Sequence, residues 1–137
     1  MAEAFRVENL LVYQRLCDLH IEVSDLTRTW PLEERFELAS QVRRASNSAP
    51  ANLAEKHNDR HVRNRIEGVN RARGETLETV HHLYVAHRKK YLTLKAYEAY
   101  RKRYLECVRM LNGLEKNYEA RLLPHERSWP AAPTSDL

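Results

Sequence analysis

The chain has 137 residues, a net charge of +4 and 31% charged residues, enough length for one domain with a buried core. Three glycines and five prolines are few, and abundant Leu, Ala, Glu, Arg and Lys favour an all-helical protein. No run of about 18 apolar residues is present, so no membrane partner is expected. The opening Met-Ala-Glu-Ala-Phe-Arg lacks a signal-peptide pattern. Cys17 and Cys107 fall on apolar stripes and read as reduced thiols, which points to the cytoplasm.

Helix one is predicted from Val7 to Thr29, with Val12, Leu16, Leu19, Val23, Leu26 and Trp30 as one apolar stripe. A second stripe of Leu10, Tyr13, Cys17 and Ile21 lies about 140° round the helix. One bundle core does not cover both, so the second stripe is read as an interface between copies of the chain. Pro31 is placed in the first turn of helix two, where Glu33 and Glu34 suit the positive helix end. That helix is expected to run to about Lys56 on Leu38, Val42, Ala45, Ala49 and Leu53, kinked at Pro50. Arg44, Pro50, Asn52 and Glu55 are read as a buried or interfacial polar network at the kink.

After a His57-Asn-Asp-Arg60 turn, helix three is predicted from His61 to Lys90 along Val62, Ile66, Val69, Ala72 or Arg73, Thr76 or Leu77, Val80, Leu83 or Tyr84, and His87. Gly68 and Gly74 inside it suggest close backbone contacts. Thr93 caps helix four, which follows Tyr97, Tyr100, Tyr104, Val108, Leu111 and Tyr118 to about Leu122. The expected fold is all-α: an antiparallel up-down-up-down four-helix bundle of long helices over residues 1–123. Residues 124–137, with three prolines, read as a flexible C-terminal tail.

Charge is unevenly placed. Residues 1–42 carry −4, residues 43–103 carry +9 and residues 104–137 carry −1. The candidate polyanion surface is Arg43, Arg44, Arg60, Arg63, Arg71, Arg73, Arg88, Lys89 and Lys90, with Arg65 and Arg101-Lys-Arg103 beside them. Projected at about 100° per residue, residues 60, 63, 71 and 88 fall within about 100° of one another. RNA or DNA is the partner this charge suits. The competing reading is a solvated face or ion pairs with Glu33, Glu34 and Glu37 of a neighbouring copy.

Catalysis finds little footing. Glu78-Thr-Val-His81 is a single Glu-x-x-His pair, whereas di-iron bundles use two, so neither a metal nor another cofactor is expected. Cys17 and Cys107 lie in apolar stripes, where a thiol loses reactivity, and the serines of helix two have no evident His–Asp arrangement.

Several segments together carry a family likeness: Val12-Tyr-Gln14, Trp30-Pro-Leu-Glu-Glu-Arg-Phe36, Arg73-Gly-Glu-Thr-Leu-Glu78 and Met110-Leu-Asn-Gly-Leu114. The strongest is Gln41-Val-Arg-Arg-Ala-Ser-Asn-Ser-Ala-Pro-Ala-Asn-Leu-Ala-Glu55. With these the chain, over about residues 6–120, resembles the four-helix-bundle proteins encoded by intervening sequences inside bacterial large-subunit ribosomal RNA genes. The family pattern usually has glycine where this chain has Lys56, and serine where it has Glu75. The resemblance implies a cytosolic, non-enzymatic protein assembling into rings, typically five-fold. It is related in fold to nucleic-acid-associated accessory proteins of diversity-generating retroelements. A protein–protein adaptor that binds no nucleic acid is the alternative.

Overall fold

The computed structural model describes residues 6–126. Four helices follow in order: α1 (Leu11–Thr27), α2 (Leu38–Lys56), α3 (Val62–Arg88) and α4 (Leu94–Glu119). Each packs along the next, and α1 also meets α4, which closes an antiparallel four-helix bundle. Among the described residues there is no strand.

The core follows the apolar stripes. Val12, Leu16, Leu19, Val23 and Trp30 meet Leu38, Val42, Ala45, Ala49 and Leu53, while Ile66, Val69, Ala72 and Leu83 face Tyr97, Tyr104, Cys107 and Leu111. On α4 it is Cys107, one residue before the expected Val108, that is fully buried.

The start of α1 is shorter than its stripe suggests. Val7–Asn9 form a single 3-10 turn, Leu10 is extended, and the Gln14 amide donates to the Glu8 carbonyl at 2.6 Å.

Helix two does not begin at Pro31. A 3-10 turn spans Leu32–Glu34, Glu37 breaks the helical geometry at φ −118°, ψ −107°, and α2 starts only at Leu38. The reason lies in Glu34. Its side chain is buried, where it accepts from Lys89 Nζ at 2.6 Å and Tyr91 Oη at 2.7 Å. The Trp30 ring lies tilted against the same Tyr91, centroids 5.8 Å apart, so the α1–α2 connection is clasped to the end of α3.

From Leu38 to Lys56 α2 continues through the buried Pro50, which offers no N–H to the Ser46 carbonyl. Side chains add bonds on either side of it: Ser46 Oγ donates to the Arg43 carbonyl at 3.3 Å, and Asn52 Nδ2 to the Ser48 carbonyl at 2.8 Å.

Only one of the two helix-three glycines is a close contact. A Cβ on Gly68 would stand 2.6 Å from Lys56 Cβ and 3.1 Å from the Asn52 carbonyl oxygen, the tightest approach of α2 and α3. At Gly74 nothing lies within 4 Å, so the expected contact there is absent from the single chain.

Asp59 holds the α2–α3 turn, accepting from the His61 amide at 2.9 Å and Asn64 Nδ2 at 3.1 Å. Helix three ends in a Schellman turn. Tyr91 N donates to the Ala86 carbonyl at 2.9 Å, Lys90 N donates to the His87 carbonyl at 2.8 Å, and Lys90 is left-handed at φ 68°. Thr93 caps α4 by accepting from the Ala96 amide at 3.1 Å. The expected tail opens with a 3-10 turn, Pro124–Glu126, and its residues 127–137 lie outside the described part.

Candidate nucleic-acid interface and subunit-facing surfaces

Much of the central positive charge is used inside the chain. Arg73, only 21% exposed, bridges α3 to α4 by donating to Glu115 Oε1 at 2.6 Å and Asn112 Oδ1 at 2.8 Å. Lys89 is committed to Glu34, whose carboxyl is held below the ordinary range first by that lysine and then by Tyr91. Arg44 meets Glu78 of α3 at 3.1 Å, and Arg43 ties Thr27 Oγ1 at 3.1 Å to the Arg35 carbonyl at 3.0 Å. Arg71 pairs with Glu67 one turn away at 2.7 Å, and Arg88 lies against Tyr84, 3.2 Å from its hydroxyl. Arg63 is half-buried. Arg65 donates to the Asp59 carbonyl at 2.6 Å, and Arg103 makes a two-point pair with Glu22. Of the expected surface, Arg60, Lys90, Arg101 and Lys102 remain as exposed cations with no side-chain partner among the described residues.

The four residues assigned to a network at Pro50 do not come together within one chain. Arg44 is 63% exposed and turns to Glu78, Asn52 bonds back along its own helix, and Glu55 is exposed. Proline removes a backbone donor, and the side-chain bonds beside it, from Ser46 and Asn52, are local to α2 and recruit no charge.

The second stripe of α1 behaves differently from a core face. Leu10, Tyr13 and Cys17 are half-buried, and Ile21 is 59% exposed. Across α2, the small outward residues Ser48, Ala51 and Asn52 form the floor of an open 600 Å³ trough walled by Glu55, Arg71 and Gly74. At the α1–α2 connection Leu32 and Phe36 are 83% and 84% exposed.

Chemistry-bearing groups are scattered. Among the described residues no three His, Cys, Asp or Glu side chains gather as a metal set would require. Glu78, the acid of the Glu-x-x-His pair, serves Arg44 and lies 3.5 Å from His82 Nε2. His82 is buried, and desolvation lowers its pKa. Burial pushes the Cys107 thiol up to about 11 and raises that of Cys17, away from nucleophilic reactivity. His20 Nδ1 shares a 2.7 Å hydrogen bond with Ser46 Oγ, tying α1 to α2 beside Pro50. No helix among the described residues is long and apolar enough to cross a membrane.

Sequence reasoning misses the Glu34 clasp, the His20–Ser46 bond and the burial of His82. Only the Trp-Pro-Leu-Glu-Glu cluster hinted at the first.

Such a molecule belongs to the class of all-helical bundles whose polar residues brace one helix against another. A family model for the 23S rRNA-intervening sequence protein matches residues 8–113, most of the chain, and the chain belongs to that family. Its fold is similar to a crystal structure of a protein of unknown function of the S23 ribosomal protein family from Bacteroides thetaiotaomicron. The two superpose with a TM-score of 0.71 at 23% identity, covering 77% of this chain and 99% of that one. No curated protein sequence matches. The family's description assigns no reaction.

Proposed function

We propose that the protein is a non-enzymatic, cytoplasmic scaffold that assembles with copies of itself into a ring and binds RNA or DNA through its positive surface. The observation that carries this is the half-covered second stripe of α1, where Ile21 stays 59% exposed beside Leu10, Tyr13 and Cys17. An apolar row of this kind favours burial against a like surface. The small-residue trough of α2 supports the reading, because short side chains let another helix approach closely. Five-fold symmetry follows only from the family resemblance. The +9 block of residues 43–103 supports the nucleic-acid part, since multiplying that charge round a ring strengthens its attraction for phosphate.

Native mass measurement with an absorbance check for co-purified nucleic acid tests both parts. Ile21→Asp is expected to give a folded chain of lower mass, because a buried unpaired carboxylate opposes assembly but is harmless in water. A stable monomer in wild-type protein at dilute and concentrated conditions alike would refute the ring.

A second reading is favoured by the struts Arg44–Glu78, Arg73–Glu115 and Lys89–Glu34, which use basic residues structurally. In that case the protein is a protein–protein adaptor. Replacing Arg43 and Arg44 would then dissociate the assembly, and nucleic-acid-free protein would show no salt-sensitive binding.

A further inference from the structure

With the α3 arginines largely engaged, the unpartnered positive charge of the bundle concentrates elsewhere. Lys95, Lys102, Arg109 and Lys116 of α4 are all exposed and recur every seven residues. Seven residues make nearly two turns, so each step advances about 10.5 Å and drifts about 20°, which leaves all four within about 60° over roughly 31 Å. No ion pair joins any of them to the described residues. Of the other cations on the same helix, Arg103 binds Glu22, while Arg101 is exposed beside Lys102. Nearby acids are likewise withdrawn, with Glu106 taken by Arg15 at 3.7 Å and Glu115 by Arg73 at 2.6 Å. Glu98, one turn before Lys102, and Glu119, one turn after Lys116, stay beside the row.

We infer that this outward row of α4 is the contact surface for a nucleic-acid phosphate backbone. The inference rests on the polyanion reading above and gives it a site. A straight line of cations about 31 Å long matches a stiff, regularly charged rod better than a compact anion. Other outward positions beside the row are Ala99, Asn112, Gly113 and, at its N-terminal end, Leu94, 57% exposed. Large apolar surface is thus confined to that one end, too little to anchor in a lipid surface. The row also carries no aromatic side chain to stack on bases. Contact is therefore with phosphates, and recognition is independent of base sequence.

Four phosphate contacts correspond to a salt slope, log K against log [salt], of about −3.6 on duplex. The test uses full-length protein freed of nucleic acid and fluorescent RNA and DNA duplexes, titrated at several salt concentrations. The row variant K95Q/K102Q/R109Q/K116Q is compared with the scattered variant R28Q/R35Q/K56Q/R121Q, which removes the same charge. The expected result is salt-sensitive wild-type binding to at least one duplex. The row variant reduces the slope by about 3 and the affinity more than tenfold at low salt, with unchanged helicity and native mass. The scattered variant keeps most of the binding. If the row variant binds like wild type, the α4 site is wrong while the broader reading survives. Equal losses in both variants would reduce the effect to net charge, and a fall in native mass would make the row a subunit contact; either overturns the inference. Wild-type protein without salt-sensitive binding removes the inference and the nucleic-acid reading together. Row-dependent attachment to phosphatidylserine vesicles, with none to either duplex, would assign the row to a membrane and overturn it.

Discussion

Two glycines six residues apart on α3 are expected to respond to the same substitution with opposite signs. Alanine in a helix interior is favoured over glycine by about 1 kcal/mol. At Gly74 nothing opposes that gain, so Gly74→Ala is expected to stabilise by up to about 1 kcal/mol. At Gly68 the new methyl would fall 2.6 Å from Lys56 Cβ, 2.9 Å from Lys56 Cγ and 3.1 Å from the Asn52 carbonyl. The β-carbon and the carbonyl are anchored to α2, so relief requires the helices to part by several tenths of an ångström. Overpacking of that kind costs about 1–3 kcal/mol, which leaves a net loss of about 1 kcal/mol after the propensity gain. For a domain of this size each kcal/mol shifts the melting midpoint by roughly 3–5 °C. Thermal unfolding followed by far-ultraviolet circular dichroism, at one fixed protomer concentration, should therefore separate the two variants by roughly 6–10 °C. Equal midpoints would refute the close-approach argument. A destabilised G74A would mean that something outside the chain packs on that glycine.

The Glu34 clasp makes stability acid-sensitive. Its folded pKa is lowered, so its contribution is complete above the unfolded value near 4.5 and disappears as pH falls through the lower folded value. Glu34→Gln should lower stability at neutral pH by on the order of 1 kcal/mol and flatten that acid limb in urea titrations. His82 acts over a higher range. Desolvation lowers its folded pKa, with Glu78 opposing and His81 and Arg44 reinforcing the shift, so the unfolded chain takes up the proton first. Stability is expected to decline as pH drops below about 6.5, and His82→Gln should remove part of that slope. Thiol labelling should spare Cys107 until the protein unfolds, because burial raises its pKa to about 11. Cys17, half-buried on the second α1 stripe, should label slowly in dilute protein and more slowly as concentration rises; concentration-independent labelling would leave that stripe uncovered.

Helix periodicity carried the fold well, because it is a local property. The stripes through Leu16, Leu19 and Val23, through Val42, Ala49 and Leu53, and through Ile66, Val69 and Leu83 are the ones buried. What depended on distant partners was not legible. Glu34 reads as an ordinary first-turn acid until Lys89 and Tyr91, 55 and 57 residues away, are brought to it, and that contact moves the start of α2 to Leu38. Arg73 reads as surface charge until Glu115, 42 residues away, meets it. Gly68 and Gly74 give the same signal in sequence, and only the approach of Lys56 tells them apart. The seven-residue spacing of Lys95, Lys102, Arg109 and Lys116 was legible in principle. Summing charge over blocks conceals it, because Arg109 and Lys116 fall in a stretch with net −1.

Pro50 leaves its own helix dependent on the rest of the bundle. A segment holding Ser46, Asn47, Ser48, Pro50 and Asn52 lacks one rung of its own ladder and is rich in weak helix formers, so in isolation it would stay coiled. Docking supplies what autonomy lacks, through Ala45, Ala49 and Leu53 pressed between neighbours and Ser46 bonded to His20. The stretch that most plainly marks the lineage thus owes its helical form to its neighbours more than to its own ladder.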